Sequence, residues 1–123
     1  MTDDRAKLGA EMRAKLWGPN LPRSSMPERI ARYTNDHLFG DVWQDPALTT
    51  QEHSLVTCAV LVALGRDEQQ KVHFRGARNL GISREKLEAM IGHVMHYAGW
   101  PTGATASRVL KEVWDQMDAE QKA

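Results

Sequence analysis

The segment that most constrains the fold is residues 54–73, SLVTCAVLVALGRDEQQKVH. Its first eleven residues are almost entirely apolar; Gly65 then ends the run, and a polar segment that carries His73 follows. Thr49 and Glu52 have the spacing of a capping box, which predicts a helix that ends just before the glycine. Its valines make a β-strand the competing interpretation, but the run with its cap exceeds ordinary strand length. An apolar surface on all sides predicts a central helix, buried on several sides.

Helical spacing of apolar residues recurs along the rest of the chain. The other predicted helices are residues 3–17, a helix from a Ser25–Glu28 capping box to about Leu38, residues 67–80, a helix capped by Ser83 that runs to about Tyr97, and residues 102–119. The residues expected to face inward are Leu8, Met12, Leu16, Trp17, Ile30, Tyr33, His37, Leu87, Met90, Ile91, Val94, Met95, Val109, Leu110, Val113, Trp114 and Met117.

The remaining segments are predicted to be turns. Residues 39–48, around Trp43 and Pro46, are expected to form a loop or a short helical turn, and Gly99 and Pro101 are expected to end the fifth helix. The chain shows no strand alternation and no hairpin signal. We therefore expect an all-α fold of five to six helices in a single domain, residues 1–123.

The charge balance limits the classes of partner. The chain has 16 basic and 16 acidic residues, so the excess positive charge of a nucleic-acid-binding protein is absent. Zero net charge is compatible with self-association. The single cysteine, Cys58, cannot form an intramolecular disulfide, and the N-terminus lacks the apolar core of a signal peptide. The longest apolar run is too short to cross a bilayer, so we expect a cytoplasmic protein with no membrane partner.

His73 is the first candidate for chemistry. It lies in the middle of a predicted helix, where the small residues Gly76 and Ala77 leave space beside the ring. Arg66 lies near the start of the same helix. A half-buried histidine with a structural role and a functional histidine are equally compatible with this pattern.

A second group of side chains lies near the end of the fifth predicted helix. His93, His96 and Tyr97 share one face at spacings of three and four residues. Two histidines can form half of a zinc site, but Zn²⁺ needs a third protein ligand that the sequence does not identify, so we predict no metal. The alternative is that one histidine faces a pocket and the other faces solvent. Cys58 lies in the apolar run and is expected to be an inert, buried thiol.

No phosphate-binding glycine loop, nucleotide fingerprint or catalytic serine motif is present. The available chemistry is therefore that of imidazole, carboxylate and guanidinium groups, namely proton transfer and charge stabilisation. The tryptophans Trp43, Trp100 and Trp114 could wall a pocket, contact a partner subunit or fill the core, and core or interface filling is the simpler interpretation.

Several motifs occur in order between Gly40 and Trp114. They are GDVWQDPAL, SLVT, ALGR, the HFRGARNLG stretch that begins at His73, and the stretch that begins at His93 and ends YAGWP. On these residues, 40–114, the chain resembles the carboxymuconolactone decarboxylase family, within the wider alkylhydroperoxidase-like superfamily. The resemblance implies an all-α subunit that needs no cofactor and assembles as a homo-oligomer, commonly a trimer or hexamer.

The family's type reaction is the decarboxylation of 4-carboxymuconolactone in aromatic-compound breakdown. The resemblance therefore implies a carboxy-lyase that acts on a small-molecule lactone acid. His73 matches the family's characteristic histidine and would be the proton donor, because the pKa of an imidazolium lies near working pH. His93 would assist as a second catalytic histidine, and Tyr97 would line the pocket beside it. Arg66 matches the arginine of the family's LGR motif and would either hold a substrate carboxylate or anchor the helix turn. Trp43 matches the tryptophan of another family motif and would contact substrate.

The chain departs from the family pattern at several substrate-binding positions. Gln69 stands where a glutamate is usual, His53 where an arginine is usual, and His96 where an apolar residue is usual. Gly103, Ala104 and Thr105 occupy the region where an asparagine is expected. These changes alter the charge of the pocket and leave two alternatives open: proton transfer or rearrangement of a different lactone or enone, and a non-catalytic oligomeric ligand-binding protein.

Overall fold

The computed structural model describes residues 3–20 and 24–122, and its regular structure is helical throughout. The helices are α1 (Arg5–Trp17), α2 (Glu28–Arg32), α3 (Thr50–Leu64), α4 (Asp67–Asn79), α5 (Arg84–Ala98) and α6 (Trp100–Lys122). Helix α2 continues into a π-helical segment, Tyr33–Phe39, and one 3₁₀ turn spans Val42–Gln44. The prediction of an all-α fold with up to six helices is confirmed. Within the described ranges no helix is both long and apolar enough to span a membrane.

The chain divides into two compact units, the first ending at Thr50 and the second beginning at Gln51. The first contains α1, α2, the π-helical segment and the 3₁₀ turn, and the second contains α3 to α6. The assignment of residues 1–123 to a single domain stays a prediction.

In the first unit, α1 lies unusually close to the π-helical segment. A Cβ atom at Gly9 would clash with the backbone carbonyl of Asn35, so the approach requires glycine. Asn35 also joins the two elements through its side chain, because its amide donates to the Ala6 carbonyl at 3.0 Å and its Oδ1 accepts from Arg13 Nε at 2.8 Å. These contacts fix the side of α1 that faces the unit's small core.

Aromatic rings fill that core. Phe39 packs edge-on against Trp17, with ring centroids 5.7 Å apart, and against Trp43 at 5.2 Å. Met12 and Leu16 are also buried there, as the spacing in α1 predicted. The 3₁₀ turn around Trp43 confirms the expected short helical turn.

The prediction for the second helix is wrong in two details. Pro27, and not a serine, occupies the position before α2, and no side chain caps the helix there. The residues expected to face inward, Ile30, Tyr33 and His37, are exposed. The side of the π-helical segment that packs on α1 is the one that carries Asn35, and these three side chains lie outside that contact.

The second unit has one apolar core. Its buried members are Cys58, Val62, Phe74, Ala77, Ile82, Leu87, Ile91, Ala106, Val109, Leu110, Val113 and Met117. The inward positions predicted for α5 and α6 are confirmed, with Leu87, Ile91 and the α6 aliphatic residues buried and Met90, Val94 and Trp114 packed against them. The core therefore consists of one face of each of the four helices.

Two arginines attach α4 to α6. Arg75 forms a bidentate pair with Glu120, both bonds 2.8 Å long. Arg78 donates to Asp118 at 2.6 Å and to the Trp114 carbonyl at 3.2 Å, and its guanidinium lies 4.8 Å from the centre of the Trp114 ring. Planar guanidinium groups are suited to this combination of forked hydrogen bonds and ring stacking. These contacts hold in place the helix that carries His73.

Helix α3 ends where the sequence predicts, in a glycine turn. Gly65 has φ +68°, the left-handed region, and donates to the Val62 carbonyl while Arg66 donates to the Leu61 carbonyl. This pairing is a Schellman motif, which satisfies the last carbonyls of the helix. Helix α6, in contrast, begins at Trp100 with Pro101 in its first turn, so this proline opens α6 instead of only ending α5.

The expectation that α3 is buried on several sides is wrong for the isolated chain. One side of the helix is buried at His53, Ser54, Cys58 and Val62. The other side carries Val56, Val60 and Leu64, which are 53%, 49% and 61% exposed. The sequence of α3 shows that the helix is apolar on all sides. How many of these sides are covered depends on the tertiary structure.

Candidate active site

His73 lies in the middle of α4, half-buried against α3. The Cys58 thiol of α3 contacts the backbone carbonyl of His73, with Sγ 3.6 Å from the oxygen. On one side of His73 is Phe74, which is fully buried in the core. The histidine therefore lies at the edge of the core, where its ring is shielded from most of the solvent.

Burial lowers the pKa of His73 to about 4, from the ordinary value of 6.5. Removing an imidazolium from water is costly, so the charged form is disfavoured. The expectation of a histidine whose pKa lies near working pH is therefore wrong for the free protein. At neutral pH the ring is uncharged, and it can act as a base or become charged only when another group compensates for the lost solvation.

The same shift predicts a pH dependence of stability. The unfolded chain binds a proton on this histidine as the pH falls below about 6.5, whereas the folded chain binds it only near pH 4. As the pH is lowered from about 6.5 to about 4, the free energy of unfolding is thus expected to decrease, by up to about 3 kcal/mol at the acid end of this range. Urea unfolding at several pH values measures this, and the His73→Asn variant should show a flatter curve in the same window. An identical slope in both proteins would contradict the assignment.

Cys58 confirms the prediction of an inert thiol. It is fully buried, and burial raises the pKa of the thiol to about 12. A thiolate is the reactive form of cysteine, so this side chain is unreactive at neutral pH. Its contribution to the site is packing against the backbone at His73.

Gln70 is a feature that the sequence analysis missed. It lies one helical turn before His73 and is 0% exposed. Its amide nitrogen donates to the Leu61 carbonyl at 3.1 Å, while its Oε1 atom is buried without a hydrogen-bond partner. The helical spacing could have identified it. Positions 70, 74 and 77 form one buried face of α4, and of these three only position 70 is polar.

The side chains on α5 form two ring pairs on an exposed surface. His93 stacks on Tyr97, with ring centroids 5.3 Å apart, and Tyr97 is 85% exposed. His96 packs against Trp100 at 5.1 Å, and its Nδ1 atom lies 2.5 Å from the Gly92 carbonyl. This hydrogen bond requires Nδ1–H, which leaves Nε2 as the acceptor of a neutral ring. The structure thus brings His93 together with Tyr97, and separately His96 with Trp100.

The remaining predicted residues of this unit differ in exposure. Arg66 precedes the first turn of α4 and is exposed, and its guanidinium has no ion-pair or hydrogen-bond partner in the described part of the chain. Gln69 is exposed one turn before His73. His53, by contrast, is buried in α3 at 9% exposure. Arg66 is therefore an available cation near the start of the helix that carries His73.

Trp43 belongs to the first unit, where it is 5% exposed and packs on Phe39. That unit also has two surface clefts, of about 540 and 400 Å³. The larger cleft is lined by charged side chains such as Arg5, Arg32 and Asp36. Neither cleft is lined by a predicted site residue, and the roles assigned to the eight site residues stay predictions.

No group of three or more histidine, cysteine, aspartate or glutamate side chains able to hold a metal ion occurs in residues 3–20 and 24–122. What the second unit offers instead is a shielded neutral imidazole, a buried amide one turn before it and an exposed guanidinium at the start of the same helix. These groups can transfer a proton and bind an anion.

A family model and several known proteins match this chain. Residues 28–112 match the family described as "Carboxymuconolactone decarboxylase family". The chain is 32% identical to 4-carboxymuconolactone decarboxylase of Acinetobacter baylyi over 122 residues, which cover 94% of the chain and 90% of that protein.

Two further relatives cover less of the chain. Peroxisomal protein 2 of Saccharomyces cerevisiae is 35% identical over 93 residues, 75% of this chain and 32% of that protein. Nitrosuccinic acid decarboxylase of Metarhizium robertsii is 28% identical over 79 residues, 64% of this chain and 55% of that protein. The match to the family over most of the chain, and the two relatives named as decarboxylases, support a decarboxylase-like function. The chain belongs to the carboxymuconolactone decarboxylase family.

Proposed function

We propose that this protein is a cofactor-free carboxy-lyase that decarboxylates 4-carboxymuconolactone or a related lactone acid. The observation that carries the proposal is the 32% identity to 4-carboxymuconolactone decarboxylase along 94% of the chain. A half-buried histidine on α4, at the position singled out from the sequence, supports it. We further propose that the protein acts in the cytoplasm in the breakdown of aromatic compounds.

The substrate itself supplies the electron sink for this reaction. When the C–C bond to the carboxylate breaks, CO₂ leaves and the electron pair moves into the conjugated lactone carbonyl, which becomes a dienolate. The dienolate then takes a proton on carbon and gives the enol-lactone product. The enzyme has two tasks, to stabilise the developing negative charge and to deliver one proton.

We assign the proton to His73 and the charge stabilisation to Arg66. Burial keeps the His73 ring neutral in the free protein, with a pKa of about 4. An anionic substrate in contact with the ring favours the imidazolium and raises this pKa, so that the ring becomes charged in the complex. Arg66, which has no partner in the described part of the chain, is available to stabilise the negative charge that develops on the lactone oxygen. His93, stacked on Tyr97, is the second candidate for proton transfer.

The test is to incubate the purified protein with 4-carboxymuconolactone and to follow both the loss of ultraviolet absorbance and the release of CO₂. We expect one CO₂ for each lactone consumed, with no added cofactor. A protein that binds the lactone without changing it would overturn the proposal and favour the non-catalytic alternative. Solvent deuterium incorporated into a lactone without CO₂ release would favour the proton-transfer alternative.

A second candidate substrate is an acyclic acid that carries its own electron sink. The relative named nitrosuccinic acid decarboxylase is the observation that favours it. The departures at Gln69 and His53 also change the charge expected near His73. Assaying nitrosuccinate beside the lactone acid, with the same CO₂ measurement, distinguishes the two substrates.

We also propose that the protein is a homo-oligomer, a trimer or a hexamer, in which the exposed side of α3 is covered. Val56, Val60 and Leu64 lie on that side at a spacing of four residues, and each is about half exposed or more. Apolar side chains at this spacing form a continuous stripe, which water solvates poorly. A charged residue in the stripe would lose its hydration in the assembly.

Val60→Lys is therefore expected to shift the protein toward monomer in light scattering at micromolar concentration. Val42→Lys makes the same substitution at an exposed valine outside α3, 45% exposed in the 3₁₀ turn, and should leave the mass unchanged. A wild-type protein that is already monomeric, or an assembly that tolerates the lysine at position 60, would contradict this prediction.

A further inference from the structure

Gln70 is a buried polar group of the second unit that packing does not explain. It belongs to the face of α4 formed with Phe74 and Ala77, both fully buried, where an apolar side chain would fill the same space. Buried polar atoms in folded proteins nearly always have hydrogen-bond partners, and an exception calls for a physical reason. A physical explanation must cover both the hydrogen-bonded nitrogen and the unpartnered oxygen of the Gln70 amide.

The nitrogen end has a structural role. Gln70 Nε2 donates at 3.1 Å to the carbonyl of Leu61, the same oxygen that accepts from the Arg66 backbone in the glycine turn. Because that partner is an acceptor, the nitrogen of the amide must face it and the oxygen must face away. The orientation of the amide is therefore fixed by the end of α3.

The oxygen end has no partner, and it lies one helical turn from His73. Side chains three residues apart on a helix have Cβ atoms about 5–6 Å apart, within the combined reach of a glutamine and a histidine. When His73 takes up a proton, its ring has two N–H groups and needs an additional acceptor. A hydrogen bond from an imidazolium to an amide oxygen is charge-assisted and favours the protonated ring.

Two kinds of neighbouring group on α3 and α4 are unsuited to this role. From α3, Cys58 is held uncharged by its pKa of about 12, and its Sγ contacts the backbone of His73. Farther along α4, Arg75 and Arg78 are paired with Glu120 and Asp118 of α6. A neutral amide oxygen stabilises an imidazolium without creating a permanent ion pair, which a carboxylate at the same place would do.

We propose that Gln70 is a positioning residue for His73, whose amide oxygen accepts the ring N–H when the imidazole becomes protonated during the reaction. The proposal rests on the proposed decarboxylase function for its catalytic consequence, but the proposed hydrogen bond to the protonated ring does not depend on any substrate. Measurements without substrate therefore test the hydrogen bond, and measurements with substrate test its role in catalysis.

The substrate-free test places the same negative charge at two adjacent positions. In Gln70→Glu the carboxylate replaces the proposed acceptor, and in Gln69→Glu it lies on the exposed neighbour. NMR titration of His73 is expected to show a pKa raised by more than about one unit in Gln70→Glu and by only a few tenths in Gln69→Glu. Equal shifts in both variants, or no shift in a folded Gln70→Glu, would overturn the proposal even if the wild type decarboxylates the lactone acid.

A second variant decides the question if Gln70→Glu does not fold. Gln70→Leu is expected to lower kcat on the active substrate by about ten-fold or more while KM changes little. Gln51→Leu is the matched control, because Gln51 also donates its amide nitrogen to a backbone carbonyl, that of Leu80, at 2.8 Å. Unchanged kcat in Gln70→Leu, or an equal loss in Gln51→Leu, would overturn the positioning role. An inactive wild type with the expected titration result would reject the decarboxylase proposal alone.

Discussion

Replacing His73 with asparagine is expected to lower kcat/KM on the lactone acid by at least about 100-fold, because the variant loses the group that delivers the proton. Asparagine keeps a polar side chain of similar size at this half-buried position, so the fold should survive. The residual rate would come from substrate binding and charge stabilisation by Arg66. Steady-state kinetics, with circular dichroism to check the fold, measures the effect.

The matched control is His37→Asn, which makes the same change at an exposed histidine of the first unit. It should leave kcat/KM within about two-fold of the wild type. Equal losses in both variants, or full activity in His73→Asn, would contradict the assignment of the proton donor.

The pH–rate profiles of the wild type add a second readout for the same residue. The profile of kcat/KM reports the free enzyme and that of kcat reports the complex. We expect the pKa of His73 in the kcat profile to lie above the value of about 4 in the free protein, because a bound anion favours the imidazolium. Coincident values in the two profiles would mean that the substrate does not charge this ring.

Phe74→Ala is expected to lower the free energy of unfolding by about 3–5 kcal/mol, the range for truncating a buried phenylalanine. Phe74 is 0% exposed and belongs to the core shared by α3, α4, α5 and α6. The cavity left behind cannot collapse fully, because the arginine pairs hold α4 against α6. Urea unfolding at neutral pH measures the change.

Lys71→Ala is the control on the same helix. Lys71 is exposed and pairs only with Glu68, at 3.2 Å, so its removal should cost less than about 1 kcal/mol. A loss in Phe74→Ala no larger than in Lys71→Ala would show that α4 does not pack as described.

The core of the second unit could be predicted from the sequence because its helices keep regular spacing. Leu87 and Ile91 on α5, and Val109 and Val113 on α6, are buried as the pattern indicates. Each lies on a regular α-helix, and α5 is capped by Ser83 as its sequence indicates. Local rules are sufficient where the backbone stays α-helical.

The second helix shows where such rules fail. Its apolar residues were assigned to a buried face by 3.6-residue spacing, yet Tyr33 begins a π-helical segment and is exposed. No local sequence signal predicts the change from α-helical to π-helical hydrogen bonding. It occurs where this segment packs against α1 at Gly9, a contact between residues far apart in the chain.

For the candidate site, too, some properties follow from the local sequence and others only from the tertiary structure. Its residue types and their helices could be read from the sequence, and so could the resemblance to the family, which the comparisons confirm. The pKa of His73 and the unpartnered oxygen of Gln70 could not, because both depend on how much of each side chain the neighbouring helices cover. The sequence by itself determined the helices, the inert Cys58 and the histidine on α4. Only the tertiary structure decided which side of α3 is covered and that His73 is neutral, since burial and desolvation arise from contacts between elements distant in the chain.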